Sequence, residues 1–346
     1  MEKYIKELNE IIFKFSNQEE QLKLSENLEA LALDIKKNLD ASEIHTPQIQ
    51  SFGDISSQIL EKYKSKKGMD LLETLMDEFD KDVKLRRGEM VLLGACSGMG
   101  KTLLSSQLAL NMAQVNHKVL YFTLDLNSNG LTERLLSNYL ALPTDAIRVF
   151  SNQKPPENQL EMAIKGIKKL PLQICDNILN VTQLIDICKE LGDLDVVFID
   201  CIQLLKGKNL SYKNSSVDYN YISYQLKRMA KELNICVIVC AKIDDEDDYG
   251  WERKQPQLDY LDNFGDLKQD ADKIILLYRP EFNGIVEDKN HNSLRNVTEL
   301  IIAKNKTGPT KKIYFKINES ENKLIGLKNT VIKEIIYPNE VDDLPF

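Results

Sequence analysis

The chain reads as an α/β protein: a mainly parallel, twisted sheet with helices on both faces and an antiparallel extension at its end. Three observations predict this. Apolar runs alternate with stretches of helical periodicity from residue 89 onward. The run Met90–Leu93 passes directly into a glycine-rich turn and then a helical stripe, the order strand, loop, helix. The last apolar runs follow one another with no helical pattern between them, which suits hairpins rather than crossovers.

The elements follow in order. Ile5, Leu8, Ile12 and Phe15 share one helical face, and Leu24, Leu28, Leu31 and Ile35 stripe a second helix behind a Ser16/Glu19 capping box. Residues 1–50 are therefore expected to be a helical appendage, either a satellite domain without chemistry or an arm that packs on a partner. Residues 41–53 read as a linker. Asp54 is expected to cap a short helix bearing Ile55, Ile59 and Tyr63, within a linking segment 51–68 stopped by Gly68. Residues 69–330 are expected to form the main domain, with strands at 89–94, 118–124, 172–175, 195–200, 235–241, 273–278, 297–303 and 311–317. Helices are expected at 101–115, 129–141, 158–169, 181–191 and 217–233. An acidic tail, 331–346, ends the chain.

Bulk properties bound the function. The 346 residues carry a net charge of −8, so no overall basicity advertises nucleic acid and any such contact must come from a local patch. The composition, 42% hydrophobic and 28% charged, is globular. Six scattered cysteines without a C-x-x-C pair fit free thiols in a reducing compartment rather than zinc or disulfides. No signal-peptide pattern or membrane-length apolar run is present, so a soluble, cytoplasmic protein with no membrane partner is expected.

The chemistry is concentrated at Ala95-Cys96-Ser97-Gly98-Met99-Gly100-Lys101-Thr102. Glycines free the backbone so that loop N–H groups and the positive end of the following helix point at an anion. Lys101 is placed to reach the terminal phosphates of a nucleoside triphosphate, and the Thr102 hydroxyl to sit on Mg²⁺. The strict phosphate-loop pattern has Gly where this chain has Ala95. A second signal is Val196–Ile199 ending in Asp200, an apolar strand that delivers a carboxylate to the sheet edge beside the Mg²⁺.

Several segments together resemble the motor domain of DnaB-type replicative helicases, a RecA-like fold. They are the phosphate loop with its Met-Gly-Lys-Thr; Phe198-Ile199-Asp200-Cys201-Ile202-Gln203-Leu204-Leu205; Met229–Asn234; Gln269-Asp270-Ala271-Asp272 with Tyr278-Arg279; and Ala303–Pro309. The resemblance covers roughly residues 54–318. It implies a ring, usually of six subunits, with ATP and Mg²⁺ at each interface and single-stranded DNA in the central hole. It further implies a helix before the motor that docks on the neighbouring subunit. The family's large N-terminal collar is not recognisable in residues 1–50.

The same resemblance assigns roles and exposes substitutions. The acid that polarises the attacking water falls on Asp125, where the family has Glu. The γ-phosphate-sensing Gln becomes Lys242, and the trans-acting Lys-x-Arg becomes Lys304-Asn305-Lys306, which keeps charge but loses the planar fork. The DNA-contacting loop before Gln269 has Asp262 and Asn263 at the family's Arg-Glu positions, and Gly265 lies in that loop. Lys206, Lys208 and Lys213, with Tyr212 and Tyr219, are expected either to face a DNA channel, lysines on phosphates and tyrosines on bases, or to be a solvated loop.

The tail Asp342-Asp343-Leu344-Pro345-Phe346 resembles the acidic tip of bacterial single-stranded-DNA-binding proteins, and so implies a protein partner that reads such tips; the bland alternative is a frayed terminus. The acids at 244–248 read as a charged loop, and His45, His117 and His291 show no ligand spacing. Two functions remain open at this level. One is an ATP-driven helicase ring; the other is an ATP-binding switch or accessory protein that hydrolyses slowly and unwinds nothing.

Overall fold

The computed structural model describes residues 51–64, 71–147, 155–178, 180–207, 216–243 and 255–327. Two compact units divide at Gly68. Of the first, the described part is helix α1 (Phe52–Lys64). It starts before the expected Asp54 cap: the Ser51 hydroxyl accepts the Asp54 N–H at 3.1 Å and donates to the Asp54 carboxylate at 2.7 Å. Serine is thus the N-cap, and the Asp54 carboxylate holds its hydroxyl.

The second unit holds helices α2 (Asp77–Asp82), α3 (Lys101–Gln114), α4 (Ser128–Leu140), α5 (Thr144–Ile147), α6 (Glu157–Ile167), α7 (Val181–Leu191), α8 (Ser216–Glu232) and α9 (Leu267–Asp270). Its strands are β1 (Met90–Ala95), β2 (Val119–Thr123), β3 (Leu172–Cys175), β4 (Val196–Asp200), β5 (Cys236–Lys242), β6 (Lys273–Tyr278), β7 (Val297–Asn305), β8 (Lys311–Asn318) and β9 (Lys323–Leu327). They form one sheet in the order β3-β2-β4-β5-β1-β6-β7-β8-β9. Pairings from β3 through β6 are parallel, and those from β6 through β9 are antiparallel.

Continuous Val/Ile/Leu runs make the central strands because both faces are covered. Alternate residues of β1 go to opposite cores. Val91 and Leu93 join α3 residues Leu104 and Leu108, whereas Met90 and Leu92 join Leu184 of α7 and Leu226 of α8. The strands and helices expected within residues 69–330 are all present within a few residues. Strand β9 is an addition to them. Its ladder is completed from a helix: the buried Gln107 carboxamide donates to the Leu324 carbonyl at 2.9 Å and accepts the Leu324 N–H at 2.7 Å. Among the described residues no helix is long and apolar enough to cross a membrane.

Candidate nucleotide site

All parallel strands of the centre run the same way, so their C-terminal ends share one sheet edge, and the loops there line a crevice. Strand β1 ends there at Ala95, and α3 begins at Lys101. Between them Gly98 has φ +84° and Gly100 φ +98°, a left-handed conformation that side-chain-bearing residues rarely adopt. A Cβ at Gly98 would meet nothing within 4 Å, so glycine is required by the backbone rather than by space. Such turns point successive N–H groups inward, an anion-binding concavity at a 14-residue helix's positive end. Ala95, the departure from the strict motif, is a fully buried strand residue paired with Lys242 and Leu277. Strand geometry suits any residue, so alanine there costs the loop nothing.

Asp200 ends β4 on the same edge and is 4% exposed. Its Oδ2 accepts the Tyr121 hydroxyl at 3.1 Å, and that hydroxyl lies 2.7 Å from Ser105 Oγ. Ser105 also lies 3.2 Å from the Thr102 carbonyl. Asp125 is exposed just past β2, where the Asp200 carbonyl accepts the N–H of Leu124 at 2.7 Å and of Asp125 at 3.4 Å. Thr123 Oγ1 donates to the Leu126 carbonyl at 2.7 Å and turns this loop. Cys201, next to Asp200 across a cis peptide, has its thiol pKa raised by burial. Lys101 pulls that pKa down while Asp200 and Asp125 push it up, so all three charges surround it.

Lys242, at the end of β5, pairs with Ala95 and is exposed. Its peptide is held from both sides by Gln203, whose Oε1 accepts the Lys242 N–H at 3.2 Å and whose Nε2 donates to the Lys242 carbonyl. In the sequence Gln203 belongs to a motif that gives no hint of this task. The same holds for Ser105 and Tyr121, whose only signal is a polar atom inside an apolar run. The donor set of amide nest, lysine, threonine hydroxyl and buried carboxylate fits a triphosphate with its divalent cation. Among the described residues no group of three or more His, Cys, Asp or Glu could hold a metal alone, so the metal would come with the nucleotide.

Lys304 and Lys306 lie at the other edge. Lys304 pairs with Ile274 near the start of β6, and its Nζ donates to the Lys268 and Gln269 carbonyls at 2.8 Å each. Burial lowers its pKa, and the neighbouring charge of Lys306 acts in the same direction. Lys306 Nζ lies 3.0 Å from Asp272 Oδ1. Asp272 Oδ2 in turn accepts the Met90 N–H at 2.8 Å and pairs with Lys227. Met90 is five residues before Ala95, about 17 Å along a strand. Within one chain these lysines and the phosphate loop lie at opposite ends of β1.

The remaining expected residues scatter. Lys206 makes a bridge with Asn180, its carbonyl accepting the Val181 N–H at 3.0 Å. Tyr219 is not a base-stacking residue: it is 8% exposed, with its ring 5.2 Å from Phe264. It belongs to the core because helix α8 turns that face onto the 3₁₀ segment Leu258–Phe264. Gly265 follows that segment with φ +56°, and the next N–H, of Asp266, donates to Asn220 Oδ1 at 2.7 Å. Lys208, Tyr212, Lys213, the acids at 244–248, residues 1–50 and the tail Asp342, Asp343, Leu344, Pro345 and Phe346 lie outside the described residues.

Comparison with known proteins bears on this arrangement. The family model for the DnaB-like helicase C terminal domain matches residues 72–324. A probable plasmid replicative DNA helicase of Chlamydia psittaci is 28% identical over 259 residues, covering 71% of this chain and 54% of that one. The replicative DNA helicase DnaB of Rickettsia prowazekii (strain Madrid E) is 27% identical over 288 residues, covering 75% and 59%. This chain thus spans little more than half the length of these two relatives. A solved ATPase domain of another protein superposes with TM-score 0.72 at 24% identity, over 81% of this chain and 100% of that one. A DnaB-like replicative helicase, solved in a study of its interactions with primase, gives 0.73 at 23%, over 94% and 77%.

Proposed function

From the premise that this chain belongs to the DnaB-like helicase C-terminal domain family, we propose that it is an ATP-driven translocase on single-stranded DNA, working as a ring of six subunits by analogy with that family. The observation that carries this reading is the convergence of Lys101, Thr102, Asp125, Asp200 and Lys242 on one sheet edge while Lys304 and Lys306 occupy the opposite one. Mg²⁺ bound with ATP would neutralise charge on the transferring phosphoryl group. Lys101 binds the terminal phosphates. Asp125 orients the attacking water and takes its proton, and Lys242 answers to the presence of the γ-phosphate. Lys304 and Lys306 complete the site of the adjoining subunit.

DNA contact is assigned to Lys206, Lys208, Lys213 and the Gly265 loop, and the helix Phe52–Lys64 to docking on a neighbour. Its exposed Phe52, Ile59 and Leu60 support the latter. The tail residues 342–346 are assigned to a partner protein that reads acidic, Phe-terminated tips.

A second reading is favoured by three substitutions: Asp125, Lys242 and Lys306 each replace the family's residue. It is an ATP-binding switch that hydrolyses slowly and unwinds nothing. Turnover measured with and without single-stranded DNA, alongside particle mass by light scattering with and without MgATP, separates the two. The motor requires assembly and DNA-stimulated turnover. Tight ATP binding with negligible turnover in both conditions selects the switch. No ATP affinity at all would overturn both.

A further inference from the structure

The hydroxyl of Tyr121 is buried among otherwise apolar strand residues, and nothing in the chemistry described so far uses it. It bonds to Asp200 on one side and to Ser105 on the other, at 3.1 and 2.7 Å. Ser105 in turn lies one helical turn after Thr102, within 3.2 Å of its carbonyl, and hydrogen-bonds the Cys240 side chain. Asp200 and Thr102 are the two residues assigned to the cation. The hydroxyls of Tyr121 and Ser105 therefore run from Asp200 at the end of β4 to helix α3, one turn from Thr102.

The direction of the chain is dictated by its end. An ionised carboxylate only accepts hydrogen bonds, so Tyr121 must donate to Asp200. Its oxygen is then left to accept from Ser105. A bond to an ionised acceptor is the stronger kind, and in a dry interior it is stronger still. The ring cannot swing away: it stacks on Phe198 with centroids 5.5 Å apart and planes 10° apart. Phe198 is two residues before Asp200 on the same strand.

We propose that Tyr121, backed by Ser105, is a positioning residue that holds the Asp200 carboxylate in register with Thr102 for the cation bound with the nucleotide. This rests on the nucleotide-binding reading above. A buried tyrosine also needs a partner for purely structural reasons, so the test must read the cation and not just stability.

The experiment uses the full chain and a fluorescent, non-hydrolysable ATP analogue, whose affinity is measured in EDTA and across a Mg²⁺ titration. Tyr121→Phe keeps the ring and its stack and removes only the hydroxyl. The Mg²⁺ concentration for half-maximal tightening is expected to rise about tenfold, the low end for losing an outer-shell partner. Affinity in EDTA, set by the loop amides and Lys101, is expected to stay within about twofold, since Tyr121 touches neither. Ser105→Ala removes only the hydroxyl behind the tyrosine, so a rise of about threefold is expected, and the double variant should be no worse than Tyr121→Phe. Thermal melts verify folding, and Ser105→Ala carries the test should Tyr121→Phe not fold. An unmoved Mg²⁺ midpoint in folded variants would overturn the relay alone. Absence of analogue binding by the unaltered chain would overturn the relay together with the reading beneath it.

Discussion

The side-chain amide of Gln203 brackets the main-chain peptide of Lys242, accepting its N–H at 3.2 Å and donating to its carbonyl. The first lies just after the strand that delivers Asp200; the second ends the strand beside Ala95. The bracket therefore ties the position proposed to sense the γ-phosphate to the strand that carries Asp200, the carboxylate proposed for the cation. Gln203→Ala is expected to cost about 1 kcal/mol of stability, because the peptide is partly solvated. The ratio of ADP to ATP-analogue dissociation constants should fall with it. Gln203→Glu should do worse than alanine, as a carboxylate then faces a carbonyl. Equal ratios in all three proteins would show that the bracket does not govern nucleotide discrimination.

The placement of Lys306 across the sheet from Lys101 predicts complementation. Lys101→Ala and Lys306→Ala are each expected to lose at least about tenfold in turnover, the second less than an arginine finger would. Mixed in equal amounts and allowed to exchange subunits, they should regain about a quarter of normal turnover, since one interface in four pairs an intact loop with an intact lysine. A mixture no better than its components would mean that Lys306 does not act on a neighbour.

Glu89 and Lys273 form an ion pair in which the lysine side chain is 0% exposed. Removing one partner strands a buried charge, so Glu89→Gln is expected to cost about 3–5 kcal/mol. Replacing both, Glu89→Leu with Lys273→Met, is expected to restore most of that loss. Urea midpoints of the three proteins measure it, and additive losses would contradict it.

His117 gives the fold a pH dependence. Its Nε2 accepts the Glu73 N–H at 3.2 Å, which requires the neutral ring. Burial lowers its pKa, and the charge of Arg87 acts the same way against weaker opposite pulls from Glu73 and Asp80. Asp195, 3.7 Å from Nδ1, is already engaged by Arg87 and by the Lys118 N–H at 2.6 Å. The folded chain thus binds this proton more weakly than the unfolded chain. Stability should be complete above about pH 6.5 and fall as pH drops from there toward the folded pKa. Melts at pH 7.5 and 5.5 should differ more for the unaltered protein than for His117→Gln; parallel shifts would refute the assignment.

How much of this is legible in the sequence follows from how local each signal is. The phosphate loop is contiguous, so its glycines and Lys101 can be read directly, and fully apolar runs betray the central strands. Strand β9 is not legible, because its ladder depends on Gln107, more than two hundred residues earlier. Ser51 does not stand out as a cap because Asp54 is an equally good cap by type. Tyr219 passes for a surface ring because a tyrosine's polar tip hides how much of it is buried. The Gln203–Lys242 and Ser105–Tyr121–Asp200 contacts join separate elements, and no spacing rule along the chain encodes them.

The opposed ends of the β1 strand have a consequence for stoichiometry. On the function proposed above, a copy with its receiving cradle at one extremity and its donating cations at the other would join its neighbours head to tail. A closed circle then satisfies every cradle, while a linear stack always leaves the last copy's cradle unserved and the first copy's cations without a recipient. Opening such a circle at one seam, as threading a strand through it would require, would idle a single ATP site and spare the rest.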